Sequence, residues 1–223
     1  KLRPEMIEAL AYVKKACALA NANAGVLSKE KAAAIEAACD QILKGKHHDA
    51  FIVDPIQGGA GTSINMNVNE VIANIAITLL GGHPGQYEII HPNDDVNMGQ
   101  STNDVIPTAG KLACLMLLDR YEKSLQELIL SLQQKAEEFD GILKMGRTQL
   151  QDAVPVRLGQ EFDAYGSAVQ RGLDRIRVIK QEMHSINLGG TAIGTCVNAN
   201  REYYFRICNE LSNLTGISFE HCD

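Results

Sequence analysis

Two long stretches of helical periodicity constrain this chain more than any other feature. From Thr102 to about Asp140, apolar residues recur at helical spacing: Val105, Ala109, Leu112, Met116, Leu125, Leu128, Leu132, Ala136 and Phe139. A second stretch runs from about Pro155 to Asn187. At 1.5 Å per residue, about 35 residues span about 50 Å, more than a small domain needs. An apolar stripe of that length has to be covered by other long helices. The 223 residues do not supply enough of them. The pattern therefore predicts partners further along a longer chain, in other subunits, or both.

The shorter segments are helical too. Residues 4–22 repeat Met6, Ile7, Leu10, Val13, Ala16, Cys17 and Ala20, with Pro4 near the start, where proline is tolerated. Ser28 is a predicted cap for a helix running through Ala32, Ile35 and Ala38 to Gly45. A third helix is expected from Asn65 to Leu80, closed by Gly81-Gly82, and a last one from Asn200 to Leu214, stopped before Gly216. Residues 142–154 read as short and partly extended, and residues 83–101 as a loop. The fold class is all-α.

Composition narrows the function. A formal charge of −6 and no basic cluster argue against nucleic acid as a partner. No apolar run approaches the roughly 18 residues of a membrane span, and the first residues lack the apolar stretch of a signal peptide. The six cysteines form no CxxC pair and none stands at metal-site spacing from a histidine, so no metal site is expected. They read as reduced thiols of a cytoplasmic protein. Cys17, Cys39, Cys114 and Cys208 lie in apolar helical patterns and are predicted core residues.

Chemistry-bearing residues crowd into three loops. The first is Gly58-Gly59-Ala60-Gly61-Thr62-Ser63 and the residues through Asn67. The second runs from His91-Pro92-Asn93-Asp94 to Gln100-Ser101-Thr102-Asn103-Asp104. The third is Gly146-Arg147-Thr148-Gln149-Leu150-Gln151-Asp152 through Pro155. Each sets small hydroxyl or amide side chains at or just before an expected helix start. There, free N–H groups and the helix dipole favour an anion. Ordinary capping explains one such cluster; three on one chain, with glycines that let a ligand approach the backbone, favour a binding site. The Gly-rich stretch lacks the Gly-Lys-Ser/Thr ending of a phosphate loop. His91 is an acid–base candidate, because imidazole is the side chain suited to that work near neutral pH, and histidine is also a common surface or capping residue in such loops.

At these clusters the sequence resembles the aspartase/fumarase superfamily, most closely its aspartase branch. The matching segments are Gly61-Thr62-Ser63-Ile64-Asn65-Met66-Asn67 through Asn74, His91 through Asp104, Gly146 through Pro155 continued by Leu158-Gly159-Gln160-Glu161-Phe162, and Leu188-Gly189-Gly190-Thr191-Ala192-Ile193-Gly194-Thr195. The resemblance implies a small helical N-terminal domain over residues 1–100. Residues 101–223 would be the first part of an elongated central helix bundle, in a homotetramer whose active sites draw segments from three subunits. It implies reversible anti-elimination from a succinate-like substrate, L-aspartate giving fumarate, through an aci-carboxylate intermediate whose charge the site must hold. Thr62, Ser63, Ser101, Thr102, Asn103, Thr148 and Gln149 would bind the substrate. His91, Asn93 and Asp94 match a peripheral dicarboxylate site described for fumarases. No cofactor is implied, and divalent-metal activation stays open.

Gln149 helps choose between the branches. Fumarases usually carry histidine there, because hydroxide needs protonating as it leaves, whereas ammonia leaves from an already protonated amine. A neutral amide only hydrogen-bonds. The alternatives are a class II fumarate hydratase and a non-catalytic helical oligomer of the same superfamily. The family's Gly-Ser-Ser loop, which supplies the serine base, is not among these residues and is expected downstream of Asp223. The 223-residue piece is thus expected to be inactive by itself.

Overall fold

The computed structural model describes residues 1–56 and 60–222. The Gly58 and Gly59 of the first cluster lie outside the described residues. The chain is all-α in character, 63% helical with short strands only. Among the described residues no helix is long and apolar enough to cross a membrane. By contact the chain divides into two compact units, residues 1–114 with 183–223, and residues 115–182. This grouping differs from a division at residue 100, because Val105, Ala109 and Leu112 are buried with the residues that precede them.

The first unit is built around α1 (Pro4–Asn23), with Pro4 in its first turn. Helix α1 packs against α2 (Lys29–Leu43) and α6 (Arg201–Thr215), and α2 packs against α3 (Thr62–Leu79). Covered on several sides, α1 buries Ile7, Leu10, Val13, Ala16 and Cys17 completely or nearly so. Ser28 caps α2, its Oγ accepting from the Lys31 N–H at 3.3 Å. Asn200 caps α6 in the same way, accepting from Glu202 N–H at 2.8 Å, and Gly216 ends it in the left-handed conformation (φ 71°). The fully buried Tyr203 joins α6 to α1 through a 3.2 Å contact between its hydroxyl and Cys17 Sγ. Two short strands, β3 (Ser185–Ile186) and β4 (Glu220–His221), pair in parallel.

Helix α4 (Thr102–Glu138) is 37 residues, about 55 Å at the helical rise. Its residues from 115 onward belong to the second unit, with the hairpin β1 (Leu143–Thr148) and β2 (Gln151–Arg157) and helix α5 (Leu158–Glu182). Helix α5 is shorter than expected, at 25 residues. Pro155 does not start it but lies in β2 opposite Met145, and the helix begins only after Gln160 Oε1 accepts from Arg157 N–H at 3.0 Å. At the far end, β3 claims the backbone of Ser185 and Ile186. Cys114 also departs from expectation: Leu112, Ala113 and Leu115 take the buried face and leave it exposed, while Cys17, Cys39 and Cys208 are buried.

Within the second unit, Gly159 lets α5 approach the end of α4. A Cβ there would lie 2.3 Å from the Ala136 carbonyl oxygen and 2.7 Å from Asp140 Cα, both backbone atoms that cannot swing away. Gly→Ala in a helix normally stabilises by about 1 kcal/mol. Here Gly159→Ala is expected to destabilise by about 3 kcal/mol through overpacking, read as a lower thermal unfolding midpoint. A raised midpoint would show that the two helices do not meet at this glycine.

Candidate active site

The start of α4 is held by one buried carboxylate. Ser101 precedes the helix and its Oγ accepts from Asn103 N–H at 3.3 Å, while Asp104 Oδ1 accepts from Ser101 N–H at 2.9 Å. This is a reciprocal capping box. The other oxygen of Asp104 accepts from Gly189 N–H at 3.1 Å and Thr191 N–H at 2.9 Å. Asp104 thus ties the loop after β3 to the first turn of α4. Burial raises its carboxyl above the ordinary range, against the pull of the three backbone donors and of Lys14. Asn103 reinforces the same junction: its Nδ2 donates to Ala192 O at 2.8 Å, and Asn187 Nδ2 donates to Asn103 O at 3.0 Å.

Beside this junction lies a cavity of about 440 Å³, lined by Gly99, Gln100 and Ser101 and by residues of the 191–198 loop. Thr191, Cys196 and Asn198 of that loop have left-handed backbones (φ 60°, 59° and 68°), a costly conformation outside glycine. The cavity therefore has a wall shaped by strained backbone and clamped through Asp104 to a helix start.

Thr62 and Ser63 open α3 and are exposed, but neither is its cap. The cap position is Gly61 (φ 87°), and no side chain satisfies the first N–H groups. A Cβ on Gly61 would meet Ile106 of α4 at 3.2 Å, so the two helix starts are neighbours. Asn65 Nδ2 joins them directly, 3.3 Å from Thr102 Oγ1. The structure therefore brings Thr62, Ser63, Ser101, Thr102 and Asn103 to adjoining helix starts.

Thr148 and Gln149 sit in the second unit, at the exposed tip of the β1–β2 hairpin. Thr148 pairs with Gln151, and Gln149 and Leu150 both have positive φ (48° and 64°), the two-residue type I′ pattern. Gly146 marks an irregular step in the ladder, where a Cβ would press on Val154 O at 2.8 Å. Asn93 and Asp94 lie in a single π-helical turn, Pro92–Val96, and His91 is its N-cap. The His91 Nδ1 faces the N–H groups of Asn93 (3.3 Å) and Asp94 (3.1 Å). Asp95, next in sequence, is buried and paired with Lys31 at 2.7 Å.

One buried residue had no assigned role in the sequence. Lys14 of α1 is fully buried, and its ammonium donates to Asn97 Oδ1 at 2.8 Å and Gln100 Oε1 at 2.9 Å. The signal was present: Lys14 continues the apolar face of Ile7, Leu10 and Cys17 at spacings of four and three, where a lysine is out of pattern.

A lyase family model matches residues 1–222, and the chain belongs to that family, the aspartase/fumarase superfamily. It is 50% identical over 223 residues to the aspartate ammonia-lyase of Bacillus subtilis (strain 168), covering all of this chain and 47% of that protein. It is 48% identical over 218 residues to the class II fumarate hydratase of Halobacterium salinarum, covering 97% of this chain and 46% of that protein. Among solved structures, the fumarate lyase:delta crystallin from Brucella melitensis bound to cobalt matches at a TM-score of 0.92 and 49% identity, over 99% of this chain and 48% of that one. The chain spans about half the length of the relatives it matches.

Two outcomes are expected. Asp104→Ala strands three backbone donors, and at about 1 kcal/mol each it should cost about 3 kcal/mol in chemical denaturation. An unchanged midpoint would remove Asp104 as the clamp. The second concerns Lys14, which burial lowers from 10.5 to about 8, against the pull of Cys17, Asp104 and Cys39. Between those values the unfolded chain keeps the proton that the folded chain has lost, so this group's contribution to stability rises with pH. The unfolding midpoint of the wild type relative to Lys14→Met is expected to climb between about pH 8 and pH 10. A gap that is flat across this window would show that Lys14 is not buried as an ammonium.

Proposed function

We propose that this chain forms part of an enzyme that eliminates ammonia from L-aspartate to give fumarate. In this reading Thr62, Ser63, Ser101, Thr102 and Asn103 hold a substrate carboxylate at two adjoining helix starts, where hydroxyls, amides and the uncapped first N–H groups of α3 neutralise it without a lysine. The same donors suit the extra negative charge of an aci-carboxylate intermediate. Thr148 and Gln149, at the hairpin tip, would contribute substrate contacts from another subunit of the assembly.

The observation that supports ammonia over water is Gln149. Its neutral amide has no proton to give a departing hydroxide, and an ammonium leaving group needs none. The identity of about 50% to aspartate ammonia-lyase supports the same choice. The second reading, a fumarate hydratase, is favoured by the nearly equal likeness to the class II fumarate hydratase.

The assembly proposed is a homotetramer. Unit two exposes Leu128, Leu130, Leu143, Met145, Val178 and Ile179 along its long helices and hairpin, an apolar surface suited to burial against other subunits. A cytoplasmic location fits the six unpaired cysteines.

The test is fumarate absorbance with the protein purified at its natural length and given L-aspartate or L-malate. The expected kcat/KM ratio favours L-aspartate by about a hundredfold or more, as expected where a site is built for one polar group. Preference for L-malate would establish the hydratase, and turnover of neither would establish a non-catalytic role.

A further inference from the structure

A buried lysine whose protons go only to neutral amides is a costly thing to fold, and Lys14 is one. Among the described residues, two neutral amides and no carboxylate take its protons. Its place explains the cost. Helix α1 carries it under the loop that leads into Ser101, and both amides belong to that loop.

An ammonium can only donate. Asn97 and Gln100 must therefore turn their oxygens toward Lys14, and the rest of each amide agrees. Gln100 Nε2 donates to Val96 O at 2.9 Å and Met98 O at 3.2 Å, and Asn97 Nδ2 donates to Gln100 O at 3.3 Å. Asn97 Oδ1 then accepts a second proton, from Asn65 Nδ2 at 3.2 Å. Asn65 is 2% exposed and its amide is fixed in turn, with the amino group toward both Asn97 and Thr102 Oγ1. Its own Oδ1 is left buried and without a partner. Reversing the Asn65 amide would let that oxygen accept from Thr102, but it would also set two amide oxygens face to face at Asn97. While Lys14 holds Asn97, that reversal is blocked.

We propose that Lys14 is a positioning residue that fixes the direction of this hydrogen-bond chain, so that the Thr102 hydroxyl accepts from Asn65 and its own proton is free for a substrate carboxylate. The inference rests on reading Thr102 as a substrate contact. It does not depend on which dicarboxylate is the substrate. Without Lys14, only the 3.3 Å contact of Asn97 Nδ2 to Gln100 O resists a joint turn of Asn97 and Asn65, and the Thr102 proton can then be spent on Asn65 instead of the ligand.

A double-mutant cycle tests this at natural length, with L-aspartate, or L-malate if that is the substrate turned over. Lys14→Met removes the donor at similar length, and Thr102→Val removes the hydroxyl at similar shape. Each is expected to raise KM about tenfold, the equivalent of about 1.4 kcal/mol, with kcat changed far less. The double variant is expected to match Thr102→Val alone, because Lys14 acts only through that hydroxyl. Multiplying factors, about a hundredfold in the double variant, would overturn the proposal while leaving the substrate reading intact. An unchanged KM in Thr102→Val would instead remove Thr102 from the site, and the proposal with it. Asn65→Asp gives a second route should Lys14→Met not fold. Its carboxylate takes the Thr102 proton with Lys14 still present, so KM should rise more in the wild-type background than in Thr102→Val, where only the added negative charge acts.

Discussion

Three backbone N–H groups, from Ser101, Gly189 and Thr191, converge on the buried carboxylate of Asp104. Much of the candidate site hangs on this convergence. It closes the first turn of α4, presenting Ser101, Thr102 and Asn103 in one orientation. It also anchors the loop whose strained backbone walls the neighbouring cavity. A helix start alone offers a weak, solvent-screened dipole. A helix start whose donors and neighbouring loop are fixed before a ligand arrives avoids much of the ordering cost of binding.

Behind that junction lies a second constraint of the opposite sign. Lys14 is held by neutral oxygens, and its burial depresses its basicity. Buried charge is poor evidence of stability, since apolar replacements are often tolerated or favourable. What a buried donor does supply is direction, because every amide facing it has only one acceptable orientation. The orphaned Asn65 oxygen is the visible cost of that direction. Asp104 thus positions the backbone of the site, and Lys14 sets the sense of its side-chain hydrogen bonds.

Much of this was legible in the sequence, for identifiable reasons. Helix positions followed from periodicity, and ends followed from local chemistry: Pro4, the Ser28 and Asn200 caps, and Gly216 act within a turn of themselves. The polar clusters at helix starts were legible because hydroxyls, amides and glycines rarely gather so densely. What escaped depended on distant partners. Lys14 meets Asn97 and Gln100 across 83 and 86 residues. Pro155 reads as a helix start until the ladder opposite Met145 is known. Cys114 fits an apolar pattern equally well on either side of a long helix, and only packing decides which side is covered.

The most direct test of the central claim is a crystal structure of the protein at its natural length with fumarate or L-aspartate bound. The account predicts one substrate carboxylate within hydrogen-bond distance, about 3 Å, of Ser101, Thr102 and Asn103, with the Thr102 hydroxyl donating to it. A dicarboxylate bound elsewhere, with these three side chains facing only protein and water, would contradict it.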